Sequence, residues 1–503
     1  MPNDVTSTAV PTLSERDVRM VVIGAMLTLF LAALDQTIVA TALASIASDL
    51  GDVALMSWVV TAYLLTSTCS TPIVGKLSDL KGRRRILSAC ILVFLAGTIL
   101  CALAPSMPAL IAARALQGVG GGGLMIIAQA IVADVVSPRE RGRYGAYFSM
   151  VWAGSSLLGP TLGGLLTQYA GWPAIFWINL PLALLALVIA DRVLRKLPPK
   201  RREVKIDLAS SGLFALAVIP FLLALSLGGT KHPWLSPPIL GAFAVALISG
   251  ILFFRRQQRA SEPILPPRFL KDPVVAPVLG GIFLVFGGYL AIVVLAPAYF
   301  QVAMQTQISS VGLLMIPLML SSTMTAAAAG RYSKRTGRYK LPPLIGLPLA
   351  VAALIALGLA SESISTGGAA ILLMLFGFGI GPIFPITMVA AQNAVEPNDI
   401  GTVTGTLGFA RALGAAIFTA AATSLVLGLI SAWVIGAEDI ASLDDLVRRP
   451  LSEVARVEVA RAFGAVFIAV AAAIALGFAV YARVVERPLR SRPARAEDSS
   501  AAA

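Results

Sequence analysis

The chain is divided into apolar blocks too long for anything but crossing a membrane. Runs of about 18 or more apolar residues read as transmembrane helices, because in lipid each segment must satisfy its own backbone amides. About fourteen such blocks are expected, the first near residues 19–44 and the last near 461–484. Only 13% of the 503 residues are charged and 57% are hydrophobic, where a soluble chain carries about 25% charged residues. The fold class expected is an all-α, multi-pass membrane protein.

A net charge of +13 would suggest a nucleic-acid partner in a soluble chain. Here the basic residues sit in short loops between apolar blocks. If the N-terminus lies inside, GKLSDLKGRRR, SPRERGR, RKLPPKRREVK, RRQQR, GRYSKRTGRYK and the Arg-rich tail all fall on the cytoplasmic side, about 32 of the 39 Lys and Arg. An even number of spans then puts both termini in the cytoplasm. No nucleic acid is expected; membrane lipids, protons and a small-molecule substrate are the expected partners. A bacterial cytoplasmic (inner) membrane is the expected location.

Cys69, Cys90 and Cys101 lie inside apolar blocks without CxxC spacing, and His232 is the single histidine. A disulfide framework, a metal site or a histidine triad is therefore not expected. There is no P-loop for ATP-driven transport. No cluster of His, Cys and acids suggests an enzyme, and no cytoplasmic segment is long enough for the output domain of a sensor. No cofactor is expected, a proton gradient being the energy source.

The chain repeats itself. GKLSDLKGRRR (Gly75 to Arg85) and GRYSKRTGRYK (Gly330 to Lys340) share Gly-x-x-Ser and a later Gly-Arg at the same offsets. Two six-helix halves would put these loops in corresponding places. The expected organisation is a tail at 1–18, a six-helix bundle at 19–195, a linker with two extra transmembrane helices at 196–272, a second six-helix bundle at 273–485 and a tail at 486–503. Duplicated bundles with a substrate path between them are a known transporter plan.

Three ionisable residues stand inside spans, where each is a functional candidate by default. Asp35 interrupts FLAALDQTIVATAL. Burial disfavours the charged form of a carboxyl, so Asp35 is a candidate for binding and releasing a proton. At about 1.5 Å per residue, Asp35 and Arg114 reach comparable depth in the outer half of the first bundle. Arg114 is therefore the candidate to tune Asp35, with Gln117 one turn on as a weaker member of the cluster. The plainer alternative has Arg114 bonding helix-end carbonyls. Arg411 lies near mid-membrane in span 13 with no visible partner. It is a candidate anion or carbonyl ligand in a cavity, or half of a pair across the two halves.

Four motifs carry a family resemblance over about residues 15–485. They are ALDQTIVATALASIASDL in helix 1, GKLSDLKGRRRIL in the loop between helices 2 and 3, LIAARALQGVGGG in helix 4 and GSSLLGPTLGGLL in helix 5. Together they resemble the major facilitator superfamily in its fourteen-helix drug:proton antiporter branch (drug:proton antiporter family 2). The resemblance implies two six-helix bundles plus two central helices, and multidrug efflux by alternating access. It departs from the pattern in the second half, where Lys334 occupies the place of Asp79.

Within this frame, Gly75, Asp79, Gly82, Arg83, Arg84 and Asp134 read as a cytoplasmic latch. Asp79 can cap a helix start or bind an arginine across the bundle interface, and the arginines can bind acidic side chains or lipid headgroups. Gly154, Gly159, Pro160, Gly163 and Gly164 form the antiporter helix motif, the glycines permitting close helix approach and the proline a bend. The outer segment 431–461 is expected to carry a short surface helix suited to a periplasmic partner protein or a lipid-like substrate. The favoured function is a proton-coupled exporter of amphipathic, cationic or lipophilic compounds. The rivals are a same-fold exporter of one dedicated metabolite, siderophore or lipid and, more remotely, a membrane sensor or enzyme.

Overall fold

The computed structural model describes residues 15–52, 55–195, 207–229, 232–434, 446 and 453–490. The N-terminal tail to residue 14, the basic stretch 196–206, most of the outer segment and the tail from 491 lie outside the described residues. Among those described, every regular element is helical.

The first compact unit comprises Met1–Ile206 with Gln392–Gly405 and Pro488–Ala503. It holds α1 (Glu15–Leu50), α2 (Trp58–Lys81), α3 (Arg83–Ala102), α4 (Met107–Val135), α5 (Pro138–Ala170), the single turn α6 (Ala174–Trp177) and α7 (Asn179–Leu194). α1 is longer at both ends than the apolar block alone indicates. It begins at Glu15, so residues 15–18 of the expected tail are helical. It ends where Gly51 and Asp52 take φ of 72° and 53°, a left-handed exit that stops helices.

α4 sits at the centre of this unit and packs on both α2 and α3, while α1 packs on α5. Glycines make the first contact possible. A Cβ at Gly118 or Gly122 would run into Tyr63 or Ser67 of α2, and one at Gly120 or Gly123 into Phe94 or Cys90 of α3. α4 starts on Ser106, whose hydroxyl accepts the Ala109 amide, with Pro108 in the first turn. Both are ordinary start signals.

The second unit comprises Asp207–Ala391 and Thr406–Arg487. It holds α8 (Leu208–Leu227), α9 (Pro237–Gln257), α10 (Val275–Val302), α11 (Ile308–Thr336), α12 (Leu341–Leu359), α13 (Thr366–Ile380), most of α14 (Ile383–Ala394), α15 (Ile400–Trp433) beyond Gly405, and α16 (Glu453–Ala482). α16 packs against α10 and α12, and α13 against α11 and α12. The pair expected in the linker, α8 and α9, pack on each other. Asp207 caps α8 through the Ser210 amide and binds Arg256 of α9 at 2.9 Å. Those hydrogen bonds hold its carboxyl below the ordinary carboxylate range.

Twelve helices among the described residues are long and apolar enough to cross a membrane. α2 and α5, of 24 and 33 residues, are long enough but more polar; α2 carries Thr61, Thr66, Ser67, Thr68, Ser70 and Thr71. Counting α6 with α7 and α13 with α14, these two complete the fourteen segments expected.

Candidate functional site

Asp35 lies fully buried on α1, and the structure brings Arg114 to it. Arg114 Nη1 donates to Asp35 Oδ2 at 2.7 Å. Gln117, three residues along α4 and so on the same face, donates through Nε2 to Asp35 Oδ1 at 2.9 Å. A third donor is Asn179, the first residue of α7, whose Nδ2 reaches Asp35 Oδ1 at 2.8 Å. All four side chains are at most 1% exposed.

The arginine is held from other directions too. Its Nη1 donates to Gln117 Oε1 at 2.6 Å and its Nε to the Val59 carbonyl of α2 at 3.2 Å. The guanidinium lies 4.3 Å from the Tyr63 ring centroid, within cation–π range. Gln117 Nε2 also donates to Thr98 Oγ1 of α3 at 2.9 Å. Five helices therefore converge on one ion pair. Arg114 thus pairs with Asp35 and also bonds the carbonyl of Val59 in the first turn of α2, not a carbonyl at a helix C-terminus.

A buried charge is tolerated only when paired and hydrogen-bonded. Removing one member of such a pair typically costs about 3–5 kcal/mol. Asn179, Thr98 and Tyr63 went unnoticed in the sequence. The available signal was Asn179, an amide inside the apolar stretch FWINLPLALL.

The second constellation lies at the end of α2. Asp79 Oδ1 accepts the Gly401 amide at 3.0 Å, and Oδ2 accepts the Thr402 amide at 2.6 Å and the Thr402 hydroxyl at 2.7 Å. These are the first amides of α15, so a carboxylate occupies a helix N-terminus, where the helix dipole favours negative charge. Arg83 Nη1 pairs with Asp79 at 2.7 Å, and Arg83 Nε with Asp134 of α4 at 3.0 Å. Asp79, Arg83 and Asp134 are all buried. Of the two sequence readings of Asp79, helix capping is the one observed, and the arginine it binds is its own neighbour. Arg84 instead reaches the partly exposed Asp191 at 2.5 Å.

The two motif glycines have separate jobs. Gly75 lies so close to the head of α15 that a Cβ would strike the Gly401 carbonyl oxygen. Gly82 has φ of 91° and makes the turn between α2 and α3; a residue with a Cβ is strained there. The repeat preserves this turn, since Gly337 has φ of 71° between α11 and α12. It does not preserve the cap. In the second unit Glu486 Oε1 accepts the Tyr339 and Lys340 amides at 2.6 and 2.9 Å.

The helix 5 glycines divide. A Cβ at Gly159 or Gly163 would strike Thr37 or Thr41 of α1, whereas at Gly154 and Gly164 it would meet nothing within 4 Å. Thr37 Oγ1 also donates to the Ser155 carbonyl at 2.9 Å, fastening the two helices. Pro160 lies inside α5 without ending it. Close approach thus belongs to Gly159 and Gly163, one turn apart, and not to Gly154 or Gly164. Arg411, in α15 of the second unit, is not part of either constellation.

Residues 25–419 match the family model of the Major Facilitator Superfamily. The chain is 33% identical over 398 residues to "Multidrug transporter protein MdtP" of Bacillus subtilis (strain 168), covering 78% of this chain and 73% of that protein. It is 31% identical over 403 residues to "Multidrug resistance protein 3" of the same organism, covering 80% and 78%. Among solved structures it resembles the human organic anion transporter MFSD10 with a TM-score of 0.61 at 18% identity, over 92% of this chain and 99% of that one. With the fourteen helical segments and these motifs in place, the chain belongs to the major facilitator superfamily and is a transporter.

Proposed function

We propose that the protein is a proton-coupled exporter that moves amphipathic compounds, cationic or lipophilic, out of the cytoplasm by alternating access. The observation that carries this reading is the enclosed Asp35–Arg114 pair with Gln117 and Asn179 as further donors. Protonation removes the charge that Arg114 and the two amides hold. The cluster must then rearrange, because Arg114 is left as an unanswered buried cation. Loss of the proton restores the pair. A carboxyl whose protonation alters contacts on five helices can couple proton uptake to a change of shape.

Relatives named as a multidrug transporter and a multidrug resistance protein support an efflux role. In this reading Asp79 and Arg83 act as a latch that holds one conformation by capping α15 and opens in the other. Gly159 and Gly163 let α5 slide closely along α1. In the same reading both termini lie in the cytoplasm of a bacterial cell, which the distribution of the basic loops supports.

The test is reconstitution into proteoliposomes with an imposed pH gradient, comparing wild type with Asp35→Asn. Wild type is expected to drive uphill efflux of a lipophilic cationic dye, and the variant to carry it only downhill. Uphill efflux by Asp35→Asn at the wild-type rate would refute proton carriage by Asp35.

A further inference from the structure

The buried arginines of the first unit are answered: Arg114 by Asp35, Arg83 by Asp79 and Asp134, and Arg141 by the Val136 and Ala133 carbonyls. Arg411 is not. It is partly buried in α15, about 16 Å from the helix start at 1.5 Å per residue. Among the described residues no carboxylate, hydroxyl or carbonyl pairs with it. Its guanidinium carbon lies 5.7 Å from the centroid of the Phe286 ring. A ring face attracts a cation but leaves all five N–H donors unsatisfied.

The surroundings of Arg411 are aromatic. Phe286 lies 6.1 Å from Tyr289 and 5.8 Å from Phe384, and Tyr289 lies 5.3 Å from Phe384, centroid to centroid. All three rings are partly exposed. The aromatics that fill the core of this unit, Tyr299, Phe300, Phe463 and Phe467, are fully buried. The three rings beside Arg411 thus keep open surface next to a cation that keeps open donors.

We propose that Arg411 with Phe286, Tyr289 and Phe384 forms a subsite for an aromatic carboxylate. The planar guanidinium matches a carboxylate fork to fork, and the partly exposed rings offer stacking and edge contacts to the ring that carries it. A bound carboxylate would also supply the counter-charge that the chain itself omits. The subsite deepens the export reading and rests on it only for the subsite's role in transport. It extends the transported class from cations to aromatic acids and zwitterions.

The experiment is calorimetric titration of the full chain in lipid nanodiscs, without a pH gradient, using 2-naphthoate and its neutral amide, 2-naphthamide. Wild type is expected to bind the carboxylate about tenfold more tightly than the amide, the scale of one charge-assisted contact. Arg411→Gln should abolish that preference while leaving amide binding unchanged, and Arg411→Lys should retain part of it. Phe286→Ala should weaken both ligands about threefold or more. This titration needs no pH gradient and the proteoliposome test of Asp35→Asn needs no aromatic acid, so a failure of proton coupling is distinguishable from a failure of this site. Equal binding of the two ligands by wild type, no binding of either, or an undiminished carboxylate preference in Arg411→Gln would each overturn the proposal. Thermal melts of every variant establish that it is folded.

Discussion

Arg114 Nη1 stands 2.7 Å from Asp35 Oδ2, with both side chains closed to solvent. The pair is then a unit whose halves are worth less alone than together. Arg114→Ala should lower unfolding free energy by about 3–5 kcal/mol, because it strands a buried carboxylate. Adding Asp35→Asn to that variant should recover part of the loss, since the stranded charge is gone. Denaturant titration of the two single variants and the double variant in detergent checks this; simple additivity would contradict a direct coupling.

Asn179 donates one of three hydrogen bonds to Asp35, and its own side-chain oxygen has no donor. Asn179→Leu should therefore weaken the cluster by the worth of a charge-assisted hydrogen bond, about 1.5–3 kcal/mol. Gradient-driven efflux should fall by roughly an order of magnitude or more, with downhill dye movement retained. Asn179→Ser should rescue part of it. An unchanged uphill rate in Asn179→Leu would remove this residue from the coupling machinery.

At the α2 end, Gly75→Val should be more damaging than its size suggests. The atom it would strike is the Gly401 carbonyl oxygen, a backbone atom that cannot swing away as a side chain can. Overpacking of this kind costs about 1–3 kcal/mol. Asp79→Asn keeps one acceptor oxygen but loses the ion pair with Arg83, so its effect should be smaller than that of Asp79→Ala. Melting temperature and transport rate measured on the three variants give the ranking; equality of Asp79→Asn and Asp79→Ala would mean that the cap contributes nothing.

The α5 glycines provide an internal control. Gly163→Leu should destabilise the protein through Thr41 and Ile38, whereas Gly164→Ala meets no neighbour and should be neutral or slightly stabilising, Ala being the better helix former by about 1 kcal/mol. Expression level and melting temperature separate the two. A motif acting only as a block of small residues would make both variants alike.

The sequence made the helices plain because apolar length is a one-dimensional property. α2 and α5 were also found, although their hydroxyls and glycines make them more polar than the other spans. The Asp35–Arg114 contact was legible because depth can be counted along a helix at a fixed rise, and few charges are available at that depth. Asn179 was not, because an uncharged amide in an apolar stretch is commonplace and only packing reveals what it faces. The partner of Asp79 was unreadable for another reason. It is largely backbone, the Gly401 and Thr402 amides more than 300 residues away, and a main-chain amide leaves no mark in a list of side chains. The division of the α5 glycines depends on helix rotation, which spacing fixes relatively but not absolutely.

Asp35 takes three hydrogen bonds and has no contact with solvent. That enclosure carries a kinetic consequence. In the proton-coupled reading proposed above, an incoming proton has nowhere to land until a donor swings aside, so protein rearrangement sets the pace and proton delivery waits on it. Turnover in heavy water should then slow only slightly, while cooling should slow it steeply. In the same reading, the walls that make the carboxyl costly to bury would also keep protons from leaking through it between cycles.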